Sequence, residues 1–271
     1  MVSLIDTIRL KCLCLFSLVI IFVNPPPIYS QDNRTKNSKF SYGINYSQDL
    51  CYRRLSNNEN DPANSVVVDH LIENRNKNEF LKSGYTFGAL IRYSSNKKWA
   101  WESGLQMLSL GYASSASMTI SPNQVDPTKG FVKPTPDSNG KPISKFKWVY
   151  THNYLSVPIR ICYNQGFGKL RIVSSAGVSA GFLLRSTVRT HTKYVDGTKD
   201  KGKAIKQNEK YNTFNVFLNL GIGASYQVRK NIQVILESRV NYGTLKINNY
   251  PLTAYLWNSG LAASLYFTLP N

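Results

Sequence analysis

The sequence predicts an all-β fold, an eight-stranded antiparallel up-and-down transmembrane β-barrel. Three observations predict it. Eight stretches alternate oily and polar residues with period two. The links between them alternate strictly between short and long. The polar face is built from glycine, serine, asparagine and a few charges, which suits a narrow interior better than an open surface.

The chain of 271 residues opens on "MVSLIDTIRLKCLCLFSLVIIFVNPPPIYSQ". Arg9 and Lys11 flank an apolar run over residues 12–23, which ends at Asn24 and three prolines. That run fits the central region of a secretory signal and is too short for a spanning helix. Cleavage is expected after Ser30, leaving Gln31 first, although Ile28 is larger than the small residue usual three positions before a cut. The expected organisation is a signal over residues 1–30 and a barrel domain over 31–271, with strands within about 39–268.

The strands follow in order. In "KFSYGINYSQDLCY", Phe40, Tyr42, Ile44 and Tyr46 share a face. In "SGYTFGALIRYSS" the oily set is Tyr85, Phe87, Ala89, Ile91 and Tyr93. "WAWESGLQMLSLGY" offers Trp99, Trp101, Leu105 and Met107, and "WVYTHNYLSVPIRICY" offers Leu155, Val157, Ile159, Ile161 and Tyr163. "KLRIVSSAGVSAGFLLR" follows with Leu170, Ile172, Ala176, Val178, Ala180, Phe182 and Leu184. In "YNTFNVFLNLGIGASYQV" the even positions from Phe214 to Val228 are oily and the odd ones mostly polar or tiny. "NIQVILESRVNYG" and "TAYLWNSGLAASLYF" complete the set. No helical period is expected in the mature chain.

The second and third strands, the fourth and fifth, and the sixth and seventh are joined by short turns. The first and second, the third and fourth, and the fifth and sixth are joined by long polar segments; the seventh-to-eighth link, "INNYPL", is shorter. This is the layout of an outer-membrane barrel, with tight turns at one end and long loops at the other, so both termini are expected on the periplasmic side. Phe214 to Tyr226 spans about 40 Å at ~3.3 Å per residue and, tilted by about 45°, rises about 28 Å, close to the ~25 Å apolar band of such barrels. Aromatic residues gather at both ends of the oily faces, as membrane interfaces favour.

By parity Arg92, Glu102, Arg160, Arg171, Arg185, Glu237 and Arg239 share the glycine-rich face. One arginine at the centre of the lipid face would cost about 2–4 kcal/mol, whereas mixed charges can pair inside. The polar face is therefore read as the lumen. The seven charges are expected either to plug an interior that lacks a hydrophobic core or to line an anion-preferring conduit; eight strands leave room only for side chains, which favours the plug. The alternative class is a soluble secreted barrel holding an apolar ligand.

His70, His152 and His191 are the only histidines, and His152 with Ser156 is the nearest imitation of a base and nucleophile. Both have inward parity, away from lipid, so no enzyme activity is expected. No cofactor or metal motif is present, and Gly221–Gly223 is no phosphate loop, since no helix follows. Cys51 and Cys162 are expected to stay unpaired, at opposite heights of the barrel.

The formal net charge is +18, and about +17 once residues 1–30 are removed, which points to anionic partners. Export argues against nucleic acid. The segment "HTKYVDGTKDKGKAIKQNEK", residues 191–210, holds six lysines against three acids. It is read as a solvated loop that can meet lipopolysaccharide phosphates or acidic surface polysaccharide. Outer-membrane lipid and the barrel-assembly machinery are the other expected partners.

The third and fourth strands, "WAWESGLQMLSLGY" and "YLSVPIRICY", with the step at Tyr154, Leu155 and Pro158, resemble small PorT-like porin-family barrels of the Bacteroidota outer membrane. The resemblance covers about residues 31–269 and implies an eight-stranded barrel in the outer membrane without implying one activity. The chain departs from many barrels at its end, continuing past Phe267 with "TLPN" rather than stopping on an aromatic residue.

Overall fold

Period-two sequences of this kind leave backbone groups that only a neighbouring strand can satisfy, and in lipid none can stay unpaired. The computed structural model meets that demand by closing the sheet. It describes residues 39–57, 62–95, 98–116, 143–166, 168–248 and 252–268. All belong to one of the two units of the chain, Asn37–Asn271. The expected signal, with Ser30 and Gln31, lies outside the described residues, as does most of the long link between the third and fourth predicted strands.

In chain order the elements are β1 (Phe40–Asn57), α1 (Pro62–Asn78), β2 (Glu79–Phe80), β3 (Lys82–Ser94), β4 (Trp99–Ala116), β5 (Ile143–Gln165), β6 (Leu170–Tyr194), β7 (Lys199–Lys201) and β8 (Ile205–Lys206). A 3-10 turn over Asn208–Lys210 precedes β9 (Phe214–Arg229), β10 (Ile232–Gly243) and β11 (Leu252–Thr268). Eight of these strands form the wall, each antiparallel to its neighbours in the order β1, β3, β4, β5, β6, β9, β10, β11. The seam between β11 and β1 runs from Ser41 opposite Thr268 to Asn57 opposite Leu252, so the wall has no free edge. This is the predicted up-and-down barrel.

The oily faces are outside. Leu220 and Ile222 are each 62 % exposed, while Asn219, of the opposite parity, is 5 %. A carrier of an apolar ligand would show the reverse. Aromatic pairs mark both rims: Phe40 with Tyr93 at 5.0 Å and Trp99 with Tyr163 at 4.7 Å at the turn end, and Tyr52 with Trp257 at 6.2 Å at the loop end. No helix among the described residues is long and apolar enough to cross a membrane; the strands do so.

Four expectations are corrected. First, the link after β1 contains a helix, α1. It has no apolar face to announce it: Val66, Val67 and Leu71 are exposed and only Val68 is buried. Its end signals are nevertheless conventional, with proline in the first position, Arg75 and Lys77 in the last turn, and a Glu73–Lys77 pair at 2.7 Å. Second, the basic segment 191–210 is not a free loop. β6 continues to Tyr194 and pairs there with β7, and lower down with β8. The β7–β6 connection turns at Gly197, whose φ of +85° suits glycine.

Third, a bulge reverses the parity of β6. Asn153 lies opposite Arg185 but Tyr154 lies opposite Leu183, so Leu184 is an extra residue. Leu184 and Arg185 are consecutively exposed, and Arg185 points away from the lumen. Fourth, the interior does have apolar cores. One, at the loop end, gathers Leu108, Leu110, Tyr112, Tyr154, Phe217 and Leu256 among others. The other, at the turn end, holds Leu90, Ala100, Cys162, Val173, Ile235 and Tyr266.

Candidate functional site

The charged residues predicted for the lumen meet because of register. Arg92 on β3 lies opposite Glu102 on β4, and Glu102 lies opposite Arg160 on β5. Glu237 and Arg239 follow one another on the same face of β10. All five are at most 5 % exposed. Their cross-strand neighbours are small: Arg160 faces Gly177, Glu237 faces Gly223, and Arg239 faces both Gly221 and Gly260. A Cβ on Gly221 would run into the Glu237 carboxylate, and one on Gly177 would stand 2.8 Å from Arg160 Cγ. The glycines on the polar face are thus the space into which the charged side chains lie.

Glu102 accepts from Arg160 and from the Tyr266 hydroxyl. Arg160 also reaches Glu237 Oε2 with Nη1 at 3.3 Å. Arg239 donates to the same oxygen from Nη2 at 2.6 Å and from Nε at 3.2 Å, and Ser175 donates to the other oxygen. The result is one chain, Tyr266–Glu102–Arg160–Glu237–Arg239. Arg92 stands beside it, donating to Asn164 Oδ1 at 3.2 Å with its guanidinium 5.4 Å from the Tyr266 ring. Arg171 is half-buried at the lower end of β6, opposite Ser225. Five of the seven predicted residues are therefore brought together, Arg171 is peripheral, and Arg185 is excluded.

A cavity of about 10 Å³ lies against this network, lined by Gln106, Arg160, Asn219 and Arg239 among others. Such a volume is about that of one water probe. Gln106 Nε2 and Arg160 Nε are donors without a protein partner, and Asn219 Oδ1 is an acceptor without one. Mixed donors and acceptors suit water better than an anion, which needs donors alone.

Several lumen residues were not singled out from sequence. Asp49 is buried on β1 and accepts from Ser47 Oγ at 2.5 Å and Thr86 Oγ1 at 2.7 Å. Arg53 pairs with Glu79, with Nε 2.9 Å from Oε2, and lies 3.7 Å from the centre of the Tyr112 ring. Tyr112 in turn stacks on Tyr150 at 4.6 Å. The signal was available: Asp49 and Arg53 stand at odd positions of the first strand, opposite in parity to Phe40, Tyr42, Ile44 and Tyr46.

His152 does not partner Ser156. Its Nδ1 lies 3.0 Å from Ser186 Oγ, across the strand pair, and the Tyr211 ring covers it at 4.5 Å. Both His152 and Ser186 are buried inside the wall, out of reach of lipid. Cys51 and Cys162 are free and sit in the two separate apolar cores. Among the described residues no group of His, Cys, Asp and Glu is arranged to hold a metal.

Among solved structures the chain is similar to Neisserial surface protein A (11 % identity, 87 % of this chain and 100 % of that one covered, TM-score 0.39). It is also similar to the outer membrane protein OprG of Pseudomonas aeruginosa (8 % identity, 87 % and 98 % covered, TM-score 0.35) and the outer membrane protease OmpT of Escherichia coli (9 % identity, 89 % and 99 % covered, TM-score 0.33). These likenesses are too remote to carry any activity across. No curated protein matches the sequence. The family model described as an outer membrane protein beta-barrel domain matches residues 29–248, all but the last of the eight wall strands. The chain belongs to that outer membrane β-barrel family.

Proposed function

We propose that this protein is a structural and surface-interaction barrel, without enzyme activity and without a general pore, whose specificity lies in the segments at the rim opposite its termini. The observation that carries the reading is the buried chain from Glu102 through Arg160 to Glu237 and Arg239, bracketed above and below by apolar cores. A conduit needs continuous polar surface, and two apolar layers oppose one. The burial of His152 and Ser186 likewise speaks against lipid chemistry at the wall.

The reading includes both termini on the periplasmic side, insertion by the barrel-assembly machinery, and a narrower kinship with PorT-like barrels of Bacteroidota. It also includes contact between the basic segment 191–210 and anionic envelope components, lipopolysaccharide phosphates or surface polysaccharide, and none with nucleic acid.

Planar-bilayer recording of the purified barrel tests the closed lumen. The expected result is no steady conductance. A steady anion-selective current, altered by Arg160→Ala, would establish the narrow channel instead.

A further inference from the structure

Above the bulge at Leu184 the outward positions of β6 are odd-numbered, and they match the odd positions of β5. Lys145 lies directly opposite Lys193, and Lys147 opposite His191. On the far side of β6, Lys199 lies opposite Lys193 and Lys201 opposite His191. Two rows of three basic side chains therefore cross three strands, on the same side of the sheet as the lipid-facing Val157, Ile159 and Val178 below. Arg189, opposite Val149, and Arg185 continue the column down to the apolar band. No carboxylate shares this face in these rows: Asp200 sits at the opposite parity, facing Thr192, and its Oδ1 accepts from the Lys201 backbone.

Like charges placed directly opposite in a sheet destabilise it. Here four such lysine or histidine contacts recur in register. Burial, and then the charges of Lys147, Lys201 and Arg189, hold the His191 pKa below its ordinary value. A face that keeps this arrangement calls for anions from outside the chain. Its position says which. Outward apolar side chains on β6 end at Phe182 and Leu184, and Arg185 follows at once. From Arg185 to Lys193 is about 26 Å along the strand at ~3.3 Å per residue, or about 18 Å of height at a 45° tilt. The headgroup layer of a phospholipid leaflet adds only about 5–8 Å beyond the hydrocarbon. The ladder is taller than that layer.

We propose that the outward face of the β5–β6–β7 sheet is a lateral binding site for a phosphorylated glycolipid of the surrounding leaflet, whose sugar-borne phosphates climb the ladder from Arg185 to Lys193 while its acyl chains lie on the apolar wall below. This rests on the reading of the basic segment as an anion contact and deepens it: the ligand is lipid-anchored, and it binds the side of the barrel rather than the tip of a loop.

The test uses the full barrel purified in a zwitterionic detergent, titrated with rough lipopolysaccharide carrying core phosphates, with the same glycolipid dephosphorylated, and with phosphatidylglycerol. Bound glycolipid is read by native mass spectrometry. Three variants are compared: K145Q/K193Q/K199Q on the ladder, K203Q/K210Q in the same basic segment off it, and K169Q/R229Q/K230Q at the opposite rim. Heat-modifiable migration establishes that each still folds. Since a basic residue near an anionic surface contributes roughly a fivefold preference, the ladder variant is expected to lose at least about tenfold in affinity. The other two are expected to change by less than about threefold, with dephosphorylated glycolipid and phosphatidylglycerol binding weakly to all. Loss in K203Q/K210Q with the ladder variant unchanged would overturn the ladder and leave the broader loop reading standing. No loss in either would overturn both. Equal binding of phosphatidylglycerol, or of the dephosphorylated glycolipid, would overturn the phosphorylated glycolipid as the ligand.

Discussion

The charges inside the lower barrel and the charges on the β5–β6 extension obey opposite rules. Inside, each carboxylate of Glu102 and Glu237 touches at least one guanidinium, and glycines opposite make the room. On the extension, lysines face lysines and Asp200 of β7 is on the other side of the sheet. The difference teaches where each set finds its counter-charge. Buried charges have little solvent to screen them, so the chain supplies both signs there. An outward face can leave one sign to its surroundings, and its sequence then looks like an ordinary basic loop.

That contrast can be broken from the inside first. Glu237→Ala removes the carboxylate shared by Arg160 and Arg239; Arg160 keeps Glu102, while the buried Arg239 guanidinium loses its hydrogen bonds to Glu237. Losing one partner of a buried network typically costs about 3–5 kcal/mol. The expected outcome is a fall of that size in the urea stability of the barrel refolded into lipid vesicles. A loss under about 1 kcal/mol would mean that water already satisfies the arginines and that the lumen is wet.

A smaller blow to the same region adds volume without touching charge. Gly221→Val places a side chain against the Glu237 carboxylate and 2.8 Å or less from Ser175 Oγ. Overpacking of this kind costs about 1–3 kcal/mol. Gly168→Ala serves as the control, because nothing lies within 4 Å of its Cβ position; its φ of +78° makes it a test of backbone strain alone. The comparison is sharpened if the loss caused by Gly221→Val in urea is much smaller in a Glu237→Ala background, where the carboxylate it runs into is gone.

Much of this was legible in the sequence, and the exceptions have physical causes. Strand number, connection lengths and the wet face follow from period two and from the ~25 Å thickness of the apolar band, both local or global regularities that no packing detail can override. Five of seven lumen charges followed from parity alone. Arg185 failed because parity counting assumes an uninterrupted ladder, and the bulge at Leu184 flips every side chain above it. The same bulge turns His191 and Lys193 outward, which is what aligns them with Lys147 and Lys145. The apolar cores were not legible because most of their members, such as Phe217 between Asn215 and Asn219 on its face, sit among polar residues, and the run Leu108, Leu110, Tyr112 is confined to one strand. They become cores only when eight strands bring them to one height. The helix α1 escaped because its composition carries no apolar stripe.

On the extension the expected effect on stability is small and of the opposite sign. Lys193→Gln removes like-charge contacts with Lys145 and Lys199 at once. Exposed substitutions usually stay within about 0.5 kcal/mol, and here the direction is stabilising in detergent that carries no anionic lipid. Amide exchange on β7 is the measurement, since that three-residue strand is held only by β6. Slower exchange in Lys193→Gln is expected; faster exchange would mean that the lysine contributes a contact the register does not reveal.

The smallest effect is a titration. His191 faces Lys147 from β5 and Lys201 from β7, with Lys193 above and Arg189 below it on its own strand. Burial is the larger cause of its lowered pKa and the neighbouring cations the next. With its folded value below the 6.5 of the unfolded chain, the unfolded state binds the proton more readily. Stability of the extension is therefore fully present above about pH 6.5 and falls as the pH drops through the window between 6.5 and the folded value. Because His191 is largely in contact with solvent, the change is small and salt-screened. It is best read by the imidazole proton shifts in NMR rather than by global unfolding. Lys147→Gln and Lys201→Gln should each raise the His191 pKa part of the way back, and phosphorylated glycolipid should raise it further by bringing anions to the same face. A His191 pKa that ignores both substitutions and responds only to detergent would assign the shift to burial alone and remove the electrostatic argument for the ladder, leaving its register as the sole support.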